Sequence, residues 1–174
     1  MKLNPVAQRF VLHWGEMGTR WGTNRSVAQI QALLYLSPGP LRADEIVDLL
    51  SLARSNVSTA LRELQSYGLV RMTHVLGDRR DYFESLHEVW ELFRVIIDQR
   101  KQRELNPTLS MLRKCAIDVE AEVATDEVTK QRIQSMLKFV EATSDWYEKI
   151  QGVPTSTLQK LMKLGAGITR FVQN

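Results

Sequence analysis

The sequence predicts a mainly α-helical chain that is interrupted once by a short β-hairpin and continues into a long helical extension. Three observations carry this. Over most of the 174 residues, apolar side chains recur every three or four positions, the period of a helix. Between Leu69 and Leu76 the period changes to two, as in a strand. Turn residues separate the periodic runs, at Gly22, Ser37-Pro38-Gly39-Pro40, Gly68 and Gly152-Val153-Pro154.

The first helix is expected from Pro5 to Trp21, with Val6, Phe10, Trp14, Met17 and Trp21 on its apolar side. A second starts near Asn24 and ends at the Ser37–Pro40 turn, because two prolines around a glycine cannot continue a helix. A short helix is expected from about Asp44 to Leu50, its first turn favoured by Asp44 and Glu45. After Ser51-Leu52-Ala53, another runs from Arg54 to Tyr67 and stops at Gly68. The hairpin follows: Val70, Met72, His74 and Leu76 alternate with Arg71, Thr73 and Val75. Gly77-Asp78-Arg79-Arg80-Asp81 makes its turn, and Tyr82–Glu84 returns.

Ser85-Leu86-His87-Glu88 fits a capping box and predicts a helix with Leu86, Val89, Trp90, Phe93, Ile96 and Ile97 along one stripe. Asn106-Pro107 reads as a cap followed by an N1 proline, opening a helix that carries Leu109, Leu112, Ala116, Val119 and Val123. Thr125-Asp126-Glu127 opens the next, through Ile133, Met136, Leu137, Val140, Trp146, Tyr147 and Ile150. A last helix carries Leu158, Leu161, Met162, Gly165, Ile168 and Val172.

Composition limits the functions available. A chain that is 44% hydrophobic and 25% charged can bury a core, as one compact domain or a small domain with an extension. No apolar run approaches the roughly 20 residues of a membrane span, and Met1–Pro5 lacks a signal-peptide core. A soluble, cytoplasmic protein without a membrane partner is expected. One cysteine and three scattered histidines offer no metal cluster, and the nucleotide-binding and hydrolase motifs GxxxxGK[ST], GxGxxG and GxSxG are absent. No cofactor, no metal and no enzymatic activity are expected.

The 23 basic and 20 acidic residues spread evenly, 14 and 12 up to residue 104 and 9 and 8 beyond it. Any basic surface must therefore be assembled by folding.

The element order helix, helix, short helix, turn, helix, hairpin is that of a winged helix-turn-helix. In the helix after the turn, Val57, Ala60, Leu61 and Leu64 share one face. At about 100° per residue the opposite face holds Ser55, Ser58, Thr59, Arg62 and Ser66, with Asn56 beside it and Arg54 at the start. Short hydroxyls let a helix lie deep in the major groove, where Arg can fork onto guanine and Asn onto adenine. The same face is also what a merely solvent-facing helix presents; the basic hairpin tip directly behind it favours the DNA reading. Arg54, Ser55, Asn56, Ser58, Thr59 and Arg62 are the candidate major-groove residues. Arg79 and Arg80 are the candidate wing residues, with Asp78 able to hold one of them.

At these residues the sequence resembles the MarR-like winged-helix regulators, and more closely their GbsR/MarR branch. The stretch from Leu50 to Leu64 with Gly68-Leu69-Val70 looks like the family's turn and recognition helix, and Gly77-Asp78-Arg79-Arg80 like its acidic-arginine wing. Phe10-Val11-Leu12-His13-Trp14-Gly15 is similar to the branch's first helix. The resemblance covers residues 4 to 104 well and the remainder loosely. It implies a homodimeric bacterial transcriptional regulator, often a repressor, on a pseudo-palindromic double-stranded operator and modulated by a small-molecule effector. Some members of the branch control osmoprotectant uptake or synthesis and respond to choline. One departure is Ala53, where many helix-turn-helix sequences place a capping Ser or Thr.

On this reading residues 1–85 form the DNA-binding domain and residues 86–174 a helical dimerisation and effector region. The first helix, with its four-three-four spacing of Phe10, Trp14, Met17 and Trp21, is a second dimer candidate. Trp14, Trp21 and Trp90, with Trp146 and Tyr147, are candidates for an aromatic cage around a quaternary ammonium, although aromatics at helical spacing also serve as core or interface. Cys115 is either a redox thiol or a structural one. A competing reading is a winged-helix adaptor that binds protein and not DNA.

Overall fold

The computed structural model describes residues 3–121 and 126–164. Helix α1 spans Pro5–Arg20; the Asn4 side chain accepts the Ala7 N–H at 2.8 Å, and Pro5 occupies the first turn, where no donor is missed. Helix α2, Arg25–Leu36, is capped in the same way by Asn24, which accepts the Ser26 N–H at 2.8 Å. The two helices meet where α1 has no side chains. A Cβ on Gly18 would stand 2.4 Å from the Ala28 Cβ, and one on Gly15 would stand 2.6 Å from the Gln29 Cγ. Glycine therefore sets how closely α1 approaches α2.

A two-residue strand, β1 (Leu41–Arg42), leads into α3 (Ala43–Leu50). The Glu45 carboxylate reaches back to the Arg42 N–H at 2.9 Å and closes the start of α3. At its end Ser51 adopts a left-handed conformation, φ 52° and ψ 40°, which turns the chain into α4 (Arg54–Ser66). Strands β2 (Val70–His74) and β3 (Asp81–Ser85) form the hairpin. β1 adds to the far side of β3, giving the antiparallel order β1-β3-β2 with Leu41 opposite Phe83 and Met72 opposite Phe83.

One core joins these elements. Ile30, Leu33 and Leu34 of α2 are fully buried with Ile46 of α3 and with Val57 and Leu64 of α4. Val70 and Phe83 close it from the sheet. Because Val57, Ala60, Leu61 and Leu64 of α4 turn inward, the polar face of the same helix must turn out.

Helix α5 is Val89–Arg100, and here two expectations fail. Ser85 does not cap it. The residue is buried in β3 opposite Val70, and its hydroxyl donates to the Leu86 carbonyl at 3.1 Å, so sheet pairing has taken it out of reach. Glu88 instead accepts the Glu91 N–H at 2.7 Å. With the start moved to Val89, Leu92, Val95 and Ile96 meet the core, whereas Val89 and Phe93 are exposed.

The break expected at Asn106-Pro107 is also absent. A π turn, Lys101–Leu105, carries the helical backbone on into α6 (Asn106–Ala121), and the Asn106 N–H bonds the Lys101 carbonyl five residues back. Widening the turn removes the clash that a proline ring makes with the carbonyl four residues earlier.

The chain divides into two compact units, Met1–Ile97 and Asp98–Asn174. In the second unit, α7 (Glu127–Gln151) is capped by Asp126, which accepts the Thr129 N–H at 2.9 Å. Lys101 of the π turn pairs with Glu148 at 2.6 Å and Arg113 of α6 with Glu141 at 2.9 Å, so α7 descends as the π turn and α6 ascend, and the helices run antiparallel. Leu109 and Leu112 pack on Val140 between them. Helix α8 is Thr155–Leu164. The expectations for Val123, Thr125, Gly165, Ile168 and Val172 lie outside the described residues.

Candidate nucleic-acid interface

The burial of the α4 apolar face leaves Arg54, Ser55, Asn56, Ser58, Thr59 and Arg62 all exposed. Arg54, Ser58 and Arg62 follow at intervals of four and line one side of a cleft of about 400 Å³. Arg79, Arg80, Asp81 and Phe83 of the wing line the other side. Ser55, Asn56 and Thr59 stay on the exposed surface of α4 outside this cleft; Thr59 accepts a bond from the Arg62 Nη2 at 3.4 Å.

Sequence reasoning did not place Arg42, Asp44 or Gln65 here, yet all three line the cleft. Gln65 is legible afterwards, three residues beyond Arg62 on the same stripe. Arg42 and Asp44 arrive only because β1 pairs with β3. Arg42 is already engaged, bonding Asp44 and Glu45 at 3.1 Å each. The cleft thus holds five arginines against two aspartates.

The wing is a braced structure. Asp78 accepts the Arg80 N–H at 3.0 Å, the Arg80 Nε at 2.8 Å, the Arg80 Nη2, and the Tyr82 hydroxyl at 2.9 Å. These bonds, the Arg80 side chain first, hold the Asp78 carboxyl far below the usual carboxylate range and push the Arg80 guanidinium up. The Tyr82 hydroxyl is raised, first by its own bond to Asp78. Arg79 makes no ion pair among the described residues and is exposed. Across the hairpin Arg71 bonds Glu84 at 2.8 Å, which fixes the strands beneath the tip.

Ala53 caps α4 without a side-chain bond, as its identity requires. Phe10 stacks on Trp14 with ring centroids 5.5 Å apart, and Trp14 meets Trp21 edge to face at 6.1 Å. Trp90 has no ring partner among the described residues. Cys115 is half-buried, with its Sγ 3.5 Å from the Met111 Sδ. Among the described residues no three metal-binding side chains gather, and no helix is long and apolar enough to cross a membrane.

Residues 21–81, from the end of α1 through the wing turn, match the model of the MarR family. The HTH-type transcriptional repressor GbsR of Bacillus subtilis (strain 168) is 19% identical over 149 residues, covering 82% of each chain. A crystal structure described as that of a transcriptional regulator superposes with a TM-score of 0.64 at 19% identity, over 85% of this chain and 97% of the other, and so shares its fold. Residues 21–81 thus form a winged helix-turn-helix that fits the MarR family model, within a mostly helical fold around a small antiparallel sheet, and over most of its length the chain is similar to proteins described as transcriptional regulators.

Proposed function

We propose that the protein is a cytoplasmic, sequence-specific DNA-binding repressor that acts as a homodimer on a pseudo-palindromic operator and is modulated by a small molecule. The observation that carries this reading is the arginine-lined cleft between α4 and the wing. Its two walls suit a duplex whose major groove takes α4 while the wing follows the flanking minor groove. Arg54, Ser55, Asn56, Ser58, Thr59 and Arg62 face the bases and adjoining phosphates. Arg79 supplies the free wing charge, and Arg80 chiefly braces the turn. Repression is the role named for the Bacillus subtilis relative.

Residues 1–85 read DNA on this account, and residues 86–174 serve dimerisation and effector binding. Two recognition helices must then lie about 34 Å apart. Val6 and Leu12 on α1, and Val128, Met136, Phe139 and Trp146 on α7, are exposed apolar side chains that a second copy would cover. Trp14 and Trp21, already in contact, with Trp90, are the proposed effector residues.

Fluorescence polarisation tests the reading directly. Labelled DNA from upstream of the protein's own gene should bind at least about 10³-fold more tightly than scrambled DNA of equal length. Equal affinity for both would remove sequence specificity. No binding to either would remove the DNA reading and leave the winged-helix adaptor.

A further inference from the structure

We propose that Leu76, at the apex of the wing, is a minor-groove contact residue that packs against the deoxyribose walls beside Arg79. The inference rests on the DNA-binding reading above and names a contact which that reading does not contain.

Leu76 is completely exposed, at 104% of the reference area, and touches nothing that would hold an apolar side chain in place. Its position is nevertheless fixed. The Asp78 N–H bonds the Val75 carbonyl at 3.0 Å, closing a β-turn with Leu76 and Gly77 at its two central positions. Gly77 has φ +85°, the conformation that the third residue of a type II turn requires. Leu76 is therefore the corner residue, where Pro or a short polar side chain is usual. The bonds from Arg80 and Tyr82 to Asp78 brace this turn from the strand side. An exposed leucine on a preordered corner gives up little freedom on binding, so most of its burial goes into affinity.

The surroundings point to the occupant. Arg79, three residues on, carries the unpaired charge of the tip, and the arginine-lined cleft continues from it toward α4. A surface that combines one free guanidinium with one apolar side chain matches the minor groove. Its floor and phosphates attract the cation, and its walls are carbon-rich sugars. What favours DNA over a protein surface is the arginine-lined cleft itself, which offers a run of cations to a phosphate backbone.

Polarisation of the upstream duplex over a series of salt concentrations, with the full chain, separates the contributions. Leu76→Ser should weaken binding about 3- to 20-fold, the loss expected when one partly buried leucine contact is removed. The salt slope should not change, because no phosphate charge is given up. Leu76→Met should restore most of the affinity. Arg79→Ala should reduce the slope by about one. Thermal denaturation of each variant should match wild type, since Leu76 supports no core. Unchanged affinity in Leu76→Ser, with wild type binding normally, overturns the proposal alone. A changed oligomeric state with unchanged DNA affinity overturns it in favour of a protein contact. Failure of wild type to bind any duplex overturns the DNA reading and this contact with it.

Discussion

The uncapped start of the recognition helix gives a prediction in which stability and function move in opposite directions. The first bond inside α4 runs from the Val57 N–H to the Ala53 carbonyl at 3.1 Å, which leaves the N–H groups of Arg54, Ser55 and Asn56 without helix partners. Ala53 has φ −63° and ψ 140°, already a capping conformation, and is exposed. Ala53→Ser should therefore stabilise its unit by about 1 kcal/mol without rearrangement. Ala53→Asp should add a few tenths more from the helix dipole, and about 1–2 kcal/mol in all. The aspartate also places a full negative charge where the DNA reading puts a phosphate. At about 6 Å and an effective dielectric constant near 40, that repulsion is about 1.4 kcal/mol, or about tenfold in affinity. Urea denaturation and DNA polarisation on the same preparations measure both effects. A stabilised Ala53→Asp protein that binds the upstream duplex as tightly as wild type would place the start of α4 away from the phosphates. A protein no more stable than wild type would refute the open-cap argument itself.

Other substitutions test separate parts of the account. Gly18→Leu forces a side chain into a space where even a Cβ lies 2.4 Å from Ala28, and should cost at least about 1–3 kcal/mol by urea denaturation. Gly39→Ala, with nothing within 4 Å of its Cβ, should stay within about 0.5 kcal/mol of wild type. Arg62→Ala should cost about 1–3 kcal/mol of binding free energy and relax specificity at one base pair in a panel of mutated duplexes. Asp78→Asn removes the charge that holds Arg80, and should weaken DNA binding while leaving the melting temperature of the chain nearly unchanged. Because the Asp78 carboxyl is held far below its ordinary range, it stays ionised in the folded wing as pH falls. Its contribution is present above the unfolded-state value of about 3.9 and is lost only in stronger acid, so the affinity difference between wild type and Asp78→Asn should persist at about pH 5.

Helices whose apolar residues face a single partner were legible in the sequence. Val57, Ala60, Leu61 and Leu64 fix the inward face of α4, and the outward face follows from geometry alone. Elements defined by pairing were not. Leu41 and Arg42 have no strand pattern of their own and become β1 only by lying opposite Phe83 and Tyr82. Ser85 carries a capping signature, but the sheet takes the residue first. Asn106-Pro107 carries a start signature that the π turn overrides. The candidate site divides along the same line. Arg54, Ser58, Arg62, Arg79 and Arg80 come from local patterns, and their gathering around one cleft depends on the hairpin packing beside α4. Arg42 and Asp44 enter that cleft through β1, and no local pattern marks them. The bond network around Asp78 is intermediate: its residues are adjacent in sequence, but which arginine is held and which is free depends on the turn.

Hydroxyl-radical footprinting of the upstream duplex tests the central claim most directly, because the radical attacks minor-groove sugars. The account predicts two symmetric sets of protected sugars flanking a pair of half-sites about one helical turn apart, with the outer protections lost in Arg79→Ala and thinned in Leu76→Ser. Uniform protection along the duplex, or protections that Arg79→Ala leaves intact, would contradict the placement of α4 and the wing on DNA.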